Sequence, residues 1–500
     1  MSFGSGDTPI GHPQTGRVSG EARLFDFVAR RYRVLAFAVL ALAAFNLTYR
    51  LGLESVEEWD ESLYATTAWE MLRSGDPIAT TFGGELDYYN SKPPLNVWLL
   101  AASFAVFGVN LVSLRVVSAA SAWLTVLALQ MWTRRIFGPT VSLLSSLVLA
   151  TTFGFIHLHA GRSGNPDALM TLLILLTVIT LSAAHRQPWQ RAWLGPILAG
   201  VFLLKGMAVL MPLLLVLMVE ACARRRRSEW TPLATAVLLF LVPTGAWAMA
   251  RWQVDGWQFL NRIVFQDFVA LASTAVEERT GGPLYYLDVL QRYQPGWVLA
   301  AIGAALLARQ SWGRIAHGIG VMLQQRQPLA VLFAAWATAT LGVPTLVQTK
   351  LFWYLNPFYP LFAVVVGLLV ANVMYNCHHS RGHLRRVILA GLLVLTAVIS
   401  AETRSLWRLH VVTNLQTSVQ GVLLSKRHDF RGTRVCRDRL HRGEAFVVKA
   451  MMNTDFHVMT GANRNGAPRS GDLYVFSRPL DNTPLRPVGE ADGHFIYEAP

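Results

Sequence analysis

The chain has 500 residues, a formal net charge of +14 and 53% hydrophobic residues. Only 15% of the residues are charged, against about 25% in soluble domains. This composition excludes a disordered chain, a coiled coil and an ordinary cytosolic enzyme, and it indicates a polytopic membrane protein. Membrane proteins hold Lys and Arg on their cytoplasmic loops, so the positive charge does not require a nucleic-acid partner, and we expect none.

The N-terminal part consists of a polar tail, one apolar segment and an acidic loop. Residues 1–30 are predicted to form a disordered cytoplasmic tail, because the first twenty are rich in Gly, Ser, Thr and Pro. The first apolar run extends from about Val34 to Tyr49, too far along the chain for a cleavable signal peptide. Residues 51–111 then form an external loop, because its first forty residues hold too many carboxylates for a bilayer core, and a helix is predicted at 60–74.

Beyond this loop the hydropathy is nearly continuous, so the basic clusters decide the topology. These clusters lie at 134–135, 186–191, 224–227, 309–326 and 381–386. The positive-inside rule places all of them in the cytoplasm. That requires 94–109 to lie at the outer interface as an amphipathic helix, and 193–222 to form two short helices that break at Gly206. The result is 11 spans, with a second external loop at 251–283. If 94–109 crosses instead, there are 12 spans and several basic clusters lie outside.

The composition changes from about Glu402, where the transmembrane domain predicted at 31–401 ends. Residues 402–500 contain ten of the 30 acidic residues, no long apolar run, and short alternating stretches such as Glu444–Val448 and Asp472–Ser477. We predict a small periplasmic α/β domain there. The predicted fold class is therefore an all-α polytopic membrane protein with juxtamembrane helices in its first external loop, followed by this small domain.

Under this topology the unusual polar residues of the apolar part gather at the outer face. They are Asp60, Glu61 and Lys92 in the first loop, Arg162 and Asp167 at the outer end of the third span, Lys205 at the hairpin tip, Arg279 in the second loop, and Lys350 between the ninth and tenth spans. Cations at an outer interface suit a lipid phosphate, and a neighbouring carboxylate suits a general base or an ion ligand. A sugar carried on a polyprenyl phosphate needs both, because its leaving group is an anion and its acceptor hydroxyl must lose a proton.

Each of these residues also has a purely structural explanation. Asp60 and Glu61 could stabilise a helix N-terminus through its dipole. Lys205 could extend from the hairpin end towards the interface. Arg162 and Asp167 could form a local surface salt bridge.

Six ordered motifs link these residues to a known family. The motifs are Trp59–Ala65 (WDESLYA), Tyr88–Pro94 (YYNSKPP), Arg162–Asp167 (an Arg-x4-Asp pair), Leu204–Gly206 (LKG), Gly282–Tyr286 (GPLYY) and Lys350–Pro360 (KLFWYLNPFYP). In this order and spacing they resemble the polyprenyl-phosphate-sugar-dependent membrane glycosyltransferases of the protein O-mannosyltransferase and lipid A aminoarabinose transferase type, which have the GT-C fold. The resemblance covers about residues 34–400.

The resemblance implies an outward-facing active site, a lipid-linked donor and inversion at the anomeric carbon. It implies that Asp60 is the catalytic base or orients the acceptor, with Glu61 and Asp167 as further catalytic acids. The implied contacts of the donor phosphate are Lys92, Lys205, Lys350, Arg162 and Arg279, and the implied pocket residues are Tyr64, Tyr88, Tyr89 and Tyr354. The implied function is an inverting transfer of a sugar from an undecaprenyl-type phosphate to an envelope acceptor (lipid A, another glycan or protein) at the periplasmic face of a bacterial inner membrane.

Three departures from the family pattern leave the metal requirement open. The aminoarabinose transferases carry Glu where this chain has Ser91, and His where it has Thr280; both positions are metal ligands in that branch. They also carry Arg where this chain has Leu63. A divalent metal is thus neither required nor excluded, and His157 and His159 are interpreted as interfacial polar residues rather than metal ligands.

The alternative function is a transporter or flippase of lipid-linked sugars. That function predicts repeated halves and polar residues near the middle of the membrane. The clustering of polar residues at one face favours an enzyme instead. A purely structural scaffold gives no reason for three lysines to converge there.

Overall fold

The computed structural model describes residues 20–223, 230–265, 280–307, 328–378, 414–430, 432, 434–459, 469–480 and 483–500. Helices dominate the first 378 residues. They are α1 (Gly20–Thr48), α2 (Asp60–Ser74), α3 (Leu95–Phe107), α4 (Leu111–Phe137), α5 (Pro139–Thr151), α6 (Phe153–Ile156), α7 (Asp167–Ala184), α8 (Leu194–Lys205), α9 (Leu210–Cys222), α10 (Trp230–Asp255), α11 (Gln258–Val264), α12 (Tyr285–Tyr293), α13 (Pro295–Leu307), α14 (Pro328–Ala337), α15 (Val343–Leu346) and α16 (Tyr359–His378). A two-stranded hairpin, β1 (Thr81–Phe82) and β2 (Glu85–Leu86), lies between α2 and α3.

The helical part is that of a multi-pass membrane protein. In the described part of the chain, seven helical segments are long and apolar enough to cross a membrane. They are Asp26–Leu53, Leu111–Phe137, Asp167–Ala184, Pro188–Cys222, Trp230–Asp255, Pro328–Leu346 and Phe352–Met374. Shorter apolar helices are Leu95–Phe107, Pro139–Thr151 and Pro295–Ala305. The choice between 11 and 12 spans stays a prediction, because the last predicted span, 387–400, lies outside the described residues.

The first helix begins earlier than the sequence predicted. Helix α1 starts at Gly20, so residues 20–30 of the predicted disordered tail are helical and that part of the prediction is wrong. The polar, basic residues before Val34 extend the apolar helix instead of ending it, because an α-helix already started by an apolar segment adds one hydrogen bond per further residue. Residues 1–19 lie outside the described part.

The hairpin predicted at 193–222 is confirmed. Helix α8 ends at Lys205, and Gly206 follows with φ of 54°, a left-handed conformation that favours glycine. Arg191, just before α8, donates from Nε to Oε1 of Glu220, near the end of α9, at 2.9 Å. The start of α8 and the end of α9 therefore lie at the same end of the helical bundle, and Lys205 lies at the opposite end.

Helix α3 has 13 residues and is one of the shorter apolar helices. It packs on α2 through a shared apolar cluster that includes Tyr64, Val97 and Phe104. This supports the prediction of a juxtamembrane helix, but the helix is apolar throughout rather than amphipathic, since its exposed end carries Val106 and Phe107.

The largest apolar cluster joins α1, α4, α5, α7 and α16. Small residues allow these helices to approach closely, as is common between membrane helices. A Cβ added to Gly367 on α16 would lie 2.4 Å from Oγ of Ser145 on α5. The bundle formed in this way holds the polar end of α7, which begins at Asp167, against the end of α8.

The C-terminal part is a small α/β domain, as predicted. Its five-stranded sheet has the order β4-β3-β5-β7-β6, with strands β3 (Arg434–Arg437), β4 (Asp455–Val458), β5 (Leu473–Phe476), β6 (Arg486–Ala491) and β7 (His494–Glu498). Strand β3 is parallel to β4 and β5, whereas β7 is antiparallel to β5 and β6. The helices are α17 (Val419–Ser425) and α18 (Arg442–Phe446). Of the two alternating stretches, Asp472–Ser477 contains β5, whereas Glu444–Val448 is helical.

The small domain packs directly on the first external loop. The side chain of Gln420 accepts a hydrogen bond from Val56 N (2.8 Å) and donates one to Val56 O (3.0 Å). Oδ1 of Asn414 accepts from Ser55 N at 2.9 Å. Phe446 stacks on Phe104 of α3 at a centroid distance of 6.2 Å. The loop segment that leads into α2 is thus held by residues more than 350 positions away in the chain.

Candidate active site

Helix α2 begins at Asp60, within the motif that the sequence singled out. Asp60 and Glu61 occupy its first turn, where carboxylates interact favourably with the helix dipole. Their side chains have different environments: 43% of the Asp60 side chain is exposed, and none of the Glu61 side chain is. The two neighbouring acids therefore have different roles.

The carboxylate of Glu61 is enclosed by hydrogen-bond donors. Its carboxylate accepts Nε and Nη2 of Arg115 at 2.8 and 3.0 Å, and also the backbone N–H groups of Gly164 (2.8 Å) and Glu57 (3.0 Å). Burial opposes its charge, but the Arg115 guanidinium and these hydrogen bonds outweigh burial and hold the pKa of Glu61 below its usual value. Because the carboxylate is enclosed and fully bonded, the predicted catalytic role of Glu61 is not supported.

Asp60 is linked through His159 to Asp167. Nε2 of His159 lies 3.5 Å from Oδ2 of Asp60, and Nδ1 lies 3.3 Å from Oδ2 of Asp167. The His159 ring stacks on Trp353 at a centroid distance of 4.2 Å and an angle of 8°. The backbone of His159 is left-handed, with φ of 57°, which places the ring between the two helix starts.

The surroundings of His159 stabilise its protonated form relative to a free imidazole. Burial opposes its charge, but the hydrogen bond to Asp167 and the charges of Asp167, Glu57 and Asp60 outweigh it and raise the pKa of His159 above 6.5. The sequence interpretation of His159 as an ordinary interfacial residue is therefore wrong. Its position eight residues before Asp167 and three before Arg162, directly before the Arg162–Asp167 motif, was the one available signal.

Lys205 completes this network. Its Nζ donates to Oδ1 of Asp167 at 2.8 Å and lies 6.0 Å from the centroid of the Tyr354 ring. Asp167 is thus contacted by Lys205 on one oxygen and by the His159 ring on the other. The chain Asp60–His159–Asp167–Lys205, which we call the charge relay cluster, joins α2, the loop before α7, α7 and the end of α8.

Lys350 lies close by but is held by backbone. Its Nζ donates to the carbonyl oxygens of Pro344 (3.0 Å), Thr345 and Val347 (2.6 Å), so all three ammonium hydrogens cap the end of α15. Burial lowers the pKa of Lys350. The amine also lies 5.9 Å from the centroid of the Tyr286 ring. To bind a phosphate, Lys350 would have to release carbonyls, so the structure favours a capping role.

Lys92 is half-buried and precedes α3. Tyr88 and Leu95, on either side of it, pack against Leu203, and Leu95 also packs against Leu204. Lys92 therefore lies in the segment that contacts the end of α8, where Lys205 is located. This arrangement agrees with the predicted convergence of Lys92 and Lys205.

Arg162 is bonded to the end of α1. Its guanidinium donates to Oε1 of Glu54 (3.0 Å) and to the backbone carbonyls of Asn46, Tyr49 and Arg50 at the end of α1, among others. All five of its N–H groups are used, because Nε also donates to Glu54. In this structure Arg162 caps α1, and its contact with the donor phosphate stays a prediction. Arg279 lies outside the described residues.

The four predicted pocket tyrosines lie in different parts of the structure. Tyr354 is half-buried beside Lys205. Tyr64 is buried in the apolar cluster between α2 and α3, so its predicted place in the pocket is wrong. Tyr88 hydrogen-bonds Asp255 at the end of α10. Tyr89 is exposed, and its ring centroid lies 5.5 Å from the guanidinium carbon of Arg442.

The described residues contain no group of three or more His, Cys, Asp or Glu side chains with the geometry of a metal site. Ser91 is buried and supplies no carboxylate, and Thr280 is exposed. These two residues do not fit the metal ligands of the aminoarabinose transferases. No chemical step is therefore assigned to a metal.

The bundle, the juxtamembrane helices and the polar site at one end together define the fold class of the membrane glycosyltransferases. The structure superposes on that of ArnT from Cupriavidus metallidurans bound to undecaprenyl phosphate with a TM-score of 0.67, at 16% identity, over 94% of this chain and 98% of that one. An oligosaccharyltransferase of Archaeoglobus fulgidus matches with a TM-score of 0.53 and 13% identity, over 88% of this chain and 65% of that one. The predicted fold class is thus confirmed.

Sequence comparison identifies the relatives more closely. The family model described as dolichyl-phosphate-mannose-protein mannosyltransferase matches residues 91–247. The chain is 31% identical over 341 residues to an undecaprenyl phosphate-alpha-4-amino-4-deoxy-L-arabinose arabinosyl transferase of Pseudomonas aeruginosa, and 30% identical over 339 residues to one of Pseudomonas fluorescens. Each match covers 66% of this chain but only 58% and 55% of the relative, so the chain matches little more than half of their length. The resemblance predicted from the motifs is confirmed.

Proposed function

We propose that the chain is an inverting glycosyltransferase that moves a sugar from a polyprenyl phosphate carrier to an envelope acceptor. The observation that carries this proposal is the charge relay cluster, in which a half-exposed carboxylate is joined to a lysine through a buried His–Asp pair. The names of the relatives support an undecaprenyl phosphate donor. The motifs and the fold support the same class of reaction.

The cluster separates the two charges that a direct displacement requires. Lys205, with Lys92 in the adjacent segment, is the candidate contact for the donor phosphate, whose negative charge grows as the carbon–oxygen bond breaks. Asp60 is the candidate group for the acceptor, because its carboxylate is still accessible. A new bond forms between the acceptor oxygen and the anomeric carbon, the polyprenyl phosphate leaves, and the acceptor proton moves to Asp60.

His159 and Asp167 hold these two groups in place. Protonated His159 faces carboxylates on both sides, so it fixes the Asp60 side chain while Asp167 fixes Lys205. If the acceptor is itself a phosphate anion, no base is needed, and Asp60 only orients the acceptor. Asp60→Asn should therefore lose much more turnover with a hydroxyl acceptor than with a phosphate acceptor.

The reaction is placed at the periplasmic face of a bacterial inner membrane. Supporting this, Asp60 and Lys205 lie at one end of the bundle, whereas the basic residues Arg134, Arg135 and Arg191 lie at the other. The positive-inside rule assigns the latter end to the cytoplasm. The polar site also supports an enzyme over a flippase, because Asp167 begins α7 and Lys205 ends α8 rather than lying in mid-span.

The test uses the purified full-length protein in detergent with undecaprenyl phosphate as ligand. We expect the protein to bind undecaprenyl phosphate. In the presence of lipid A, we also expect it to release undecaprenyl phosphate from a donor that carries 4-amino-4-deoxy-L-arabinose or mannose. A protein that binds no undecaprenyl phosphate, and releases none from either donor, would contradict the proposal.

A further inference from the structure

A cavity of about 1110 Å³ opens at the end of the bundle opposite Asp60. It lies where α4, α7 and α9 end and where α14 begins. Helix α7 connects the two sites, since it starts at Asp167 and its last turns line the cavity. Its 18 residues separate the cavity from the charge relay cluster by about 25 Å. The cavity is therefore not part of the candidate active site.

The cavity is amphipathic. One wall is apolar and includes Trp132, Ile179, Val219 and Leu332. The other end is basic and is formed by Arg135, His185, Arg186 and Arg191. Glu220 is the one acidic residue among the lining residues, and it is already paired with Arg191 at 2.9 Å. The lining therefore has a net positive charge of two from Arg135 and Arg186.

Two basic side chains in this cavity lack a carboxylate partner in the described part of the chain. Arg135 and Arg186 are exposed and pair with no carboxylate there. An anionic group bound between them would supply the missing counter-charge.

We propose that this cavity binds an anionic glycerophospholipid of the surrounding membrane leaflet. The acyl chains lie along the apolar wall, which includes Trp132, and the headgroup phosphate lies between Arg135 and Arg186. Basic pockets between membrane helices on the cytoplasmic side commonly bind anionic headgroups. A zwitterionic lipid would leave the two arginines uncompensated. The polyprenyl phosphate donor is less suitable, because its sugar would lie about 25 Å from Asp60.

This site is independent of the proposed transferase function, since it uses none of the residues of the charge relay cluster. The test measures lipid retained by the detergent-purified full-length protein in native mass spectrometry. Phosphatidylglycerol and phosphatidylcholine with identical acyl chains are added at equal concentration. We expect the wild type to retain phosphatidylglycerol in preference to phosphatidylcholine. Each arginine is expected to contribute roughly fivefold to the affinity, so Arg135→Gln/Arg186→Gln should weaken phosphatidylglycerol binding roughly 25-fold.

Arg134→Gln is the matched control. Arg134 is the neighbouring exposed arginine on α4, but its guanidinium lies over the Tyr32 ring at 4.8 Å and does not line the cavity. It should bind phosphatidylglycerol like the wild type. If the double variant does not fold, Arg135→Gln alone and Arg186→Gln alone should each lose roughly fivefold.

Three results would overturn the proposal. The wild type could retain both lipids equally, or the double variant could retain phosphatidylglycerol as the wild type does. In the third result, undecaprenyl phosphate displaces phosphatidylglycerol from the wild type, but it has no effect on the lipid retained by Arg135→Gln/Arg186→Gln. That result would assign the cavity to the donor lipid.

Discussion

Asp60 and Glu61 are adjacent in the sequence, but one belongs to the charge relay cluster and the other to the buried pair with Arg115. The two carboxylates differ in their exposure to solvent. Glu61 and Arg115 are fully buried, and every oxygen of Glu61 is bonded. Asp60 is almost half exposed, and its contact with His159 is longer, at 3.5 Å. The comparison shows that an acidic pair in a motif can divide into one residue that holds the fold and one that remains accessible to a substrate.

The largest expected effect is on turnover by Asp60→Asn. This change keeps the size of the side chain but removes the base, so turnover with a hydroxyl acceptor should fall roughly 100- to 10,000-fold. Donor binding and the unfolding temperature should stay close to wild type, because the side chain is half exposed. Asp76→Asn, in the same external loop, is the control and should be fully active.

Two outcomes would change the assignment of Asp60. Wild-type turnover by Asp60→Asn with a hydroxyl acceptor would remove Asp60 from the mechanism. Loss of both turnover and donor binding would make Asp60 a structural or ion-holding residue, like Glu61.

Glu61→Gln should act on stability. It leaves the Arg115 charge buried without a counter-charge, which typically costs about 3–5 kcal/mol. We expect a large fall in the unfolding temperature measured in detergent, with turnover per folded molecule reduced less than in Asp60→Asn. Glu85→Gln, an exposed acid of the same loop, should have no effect. An unchanged unfolding temperature would show that the buried pair does not stabilise the loop.

Lys205 and Lys350 can be compared in the same way, because Lys205 lies in the charge relay cluster whereas Lys350 is bonded to backbone carbonyls. A hydrogen bond to a charged group contributes about 1.5–3 kcal/mol, so Lys205→Met should lose roughly tenfold or more in turnover. Lys205→Arg should not restore it, because a planar guanidinium replaces a compact ammonium. Lys350→Met should mainly lower the unfolding temperature, since Lys350 caps α15. Equal losses of donor affinity in the Lys205 and Lys350 variants would show that both bind the phosphate.

A smaller effect is expected from the contact between the small domain and the loop. Gln420→Ala removes two hydrogen bonds to Val56, four residues before Asp60. At about 1 kcal/mol of net contribution, we expect turnover to fall about fivefold with donor binding unchanged. Gln416→Ala, an exposed glutamine of the same domain, is the control. A change in donor affinity equal to the change in turnover would argue against a positioning role for Gln420.

The last effect is a pH dependence of stability. The pKa of folded His159 lies above 6.5, so the stability that its charge contributes is complete below pH 6.5 and is lost as the pH rises through the folded pKa. Unfolding temperatures measured across this range should decline for the wild type, and the decline should be smaller for His159→Gln. Identical slopes in the two proteins would mean that His159 does not carry the charge.

Local patterns in the sequence predicted much of the fold. Helix α2 occupies 60–74 as predicted, because its acids lie where a helix begins and Gly75 follows with a left-handed φ of 70°. The break at Gly206 was also predictable, because glycine tolerates left-handed φ, and the interfacial position of α3 was predicted from the positive-inside rule. The motifs, read in order, indicated the glycosyltransferase resemblance.

Only the tertiary structure decided which charged side chains are free to act. Arg162 and Lys350 have the residue types and positions of phosphate ligands, but backbone carbonyls at the ends of α1 and α15 use their donors. His159 looked ordinary until the fold placed it between Asp60 and Asp167. The sequence by itself determined the membrane class, the motif order and the bounds of α2, because these depend on neighbouring residues. Charge partners depend on contacts between residues up to hundreds of positions apart, so they became visible only when the helices were packed.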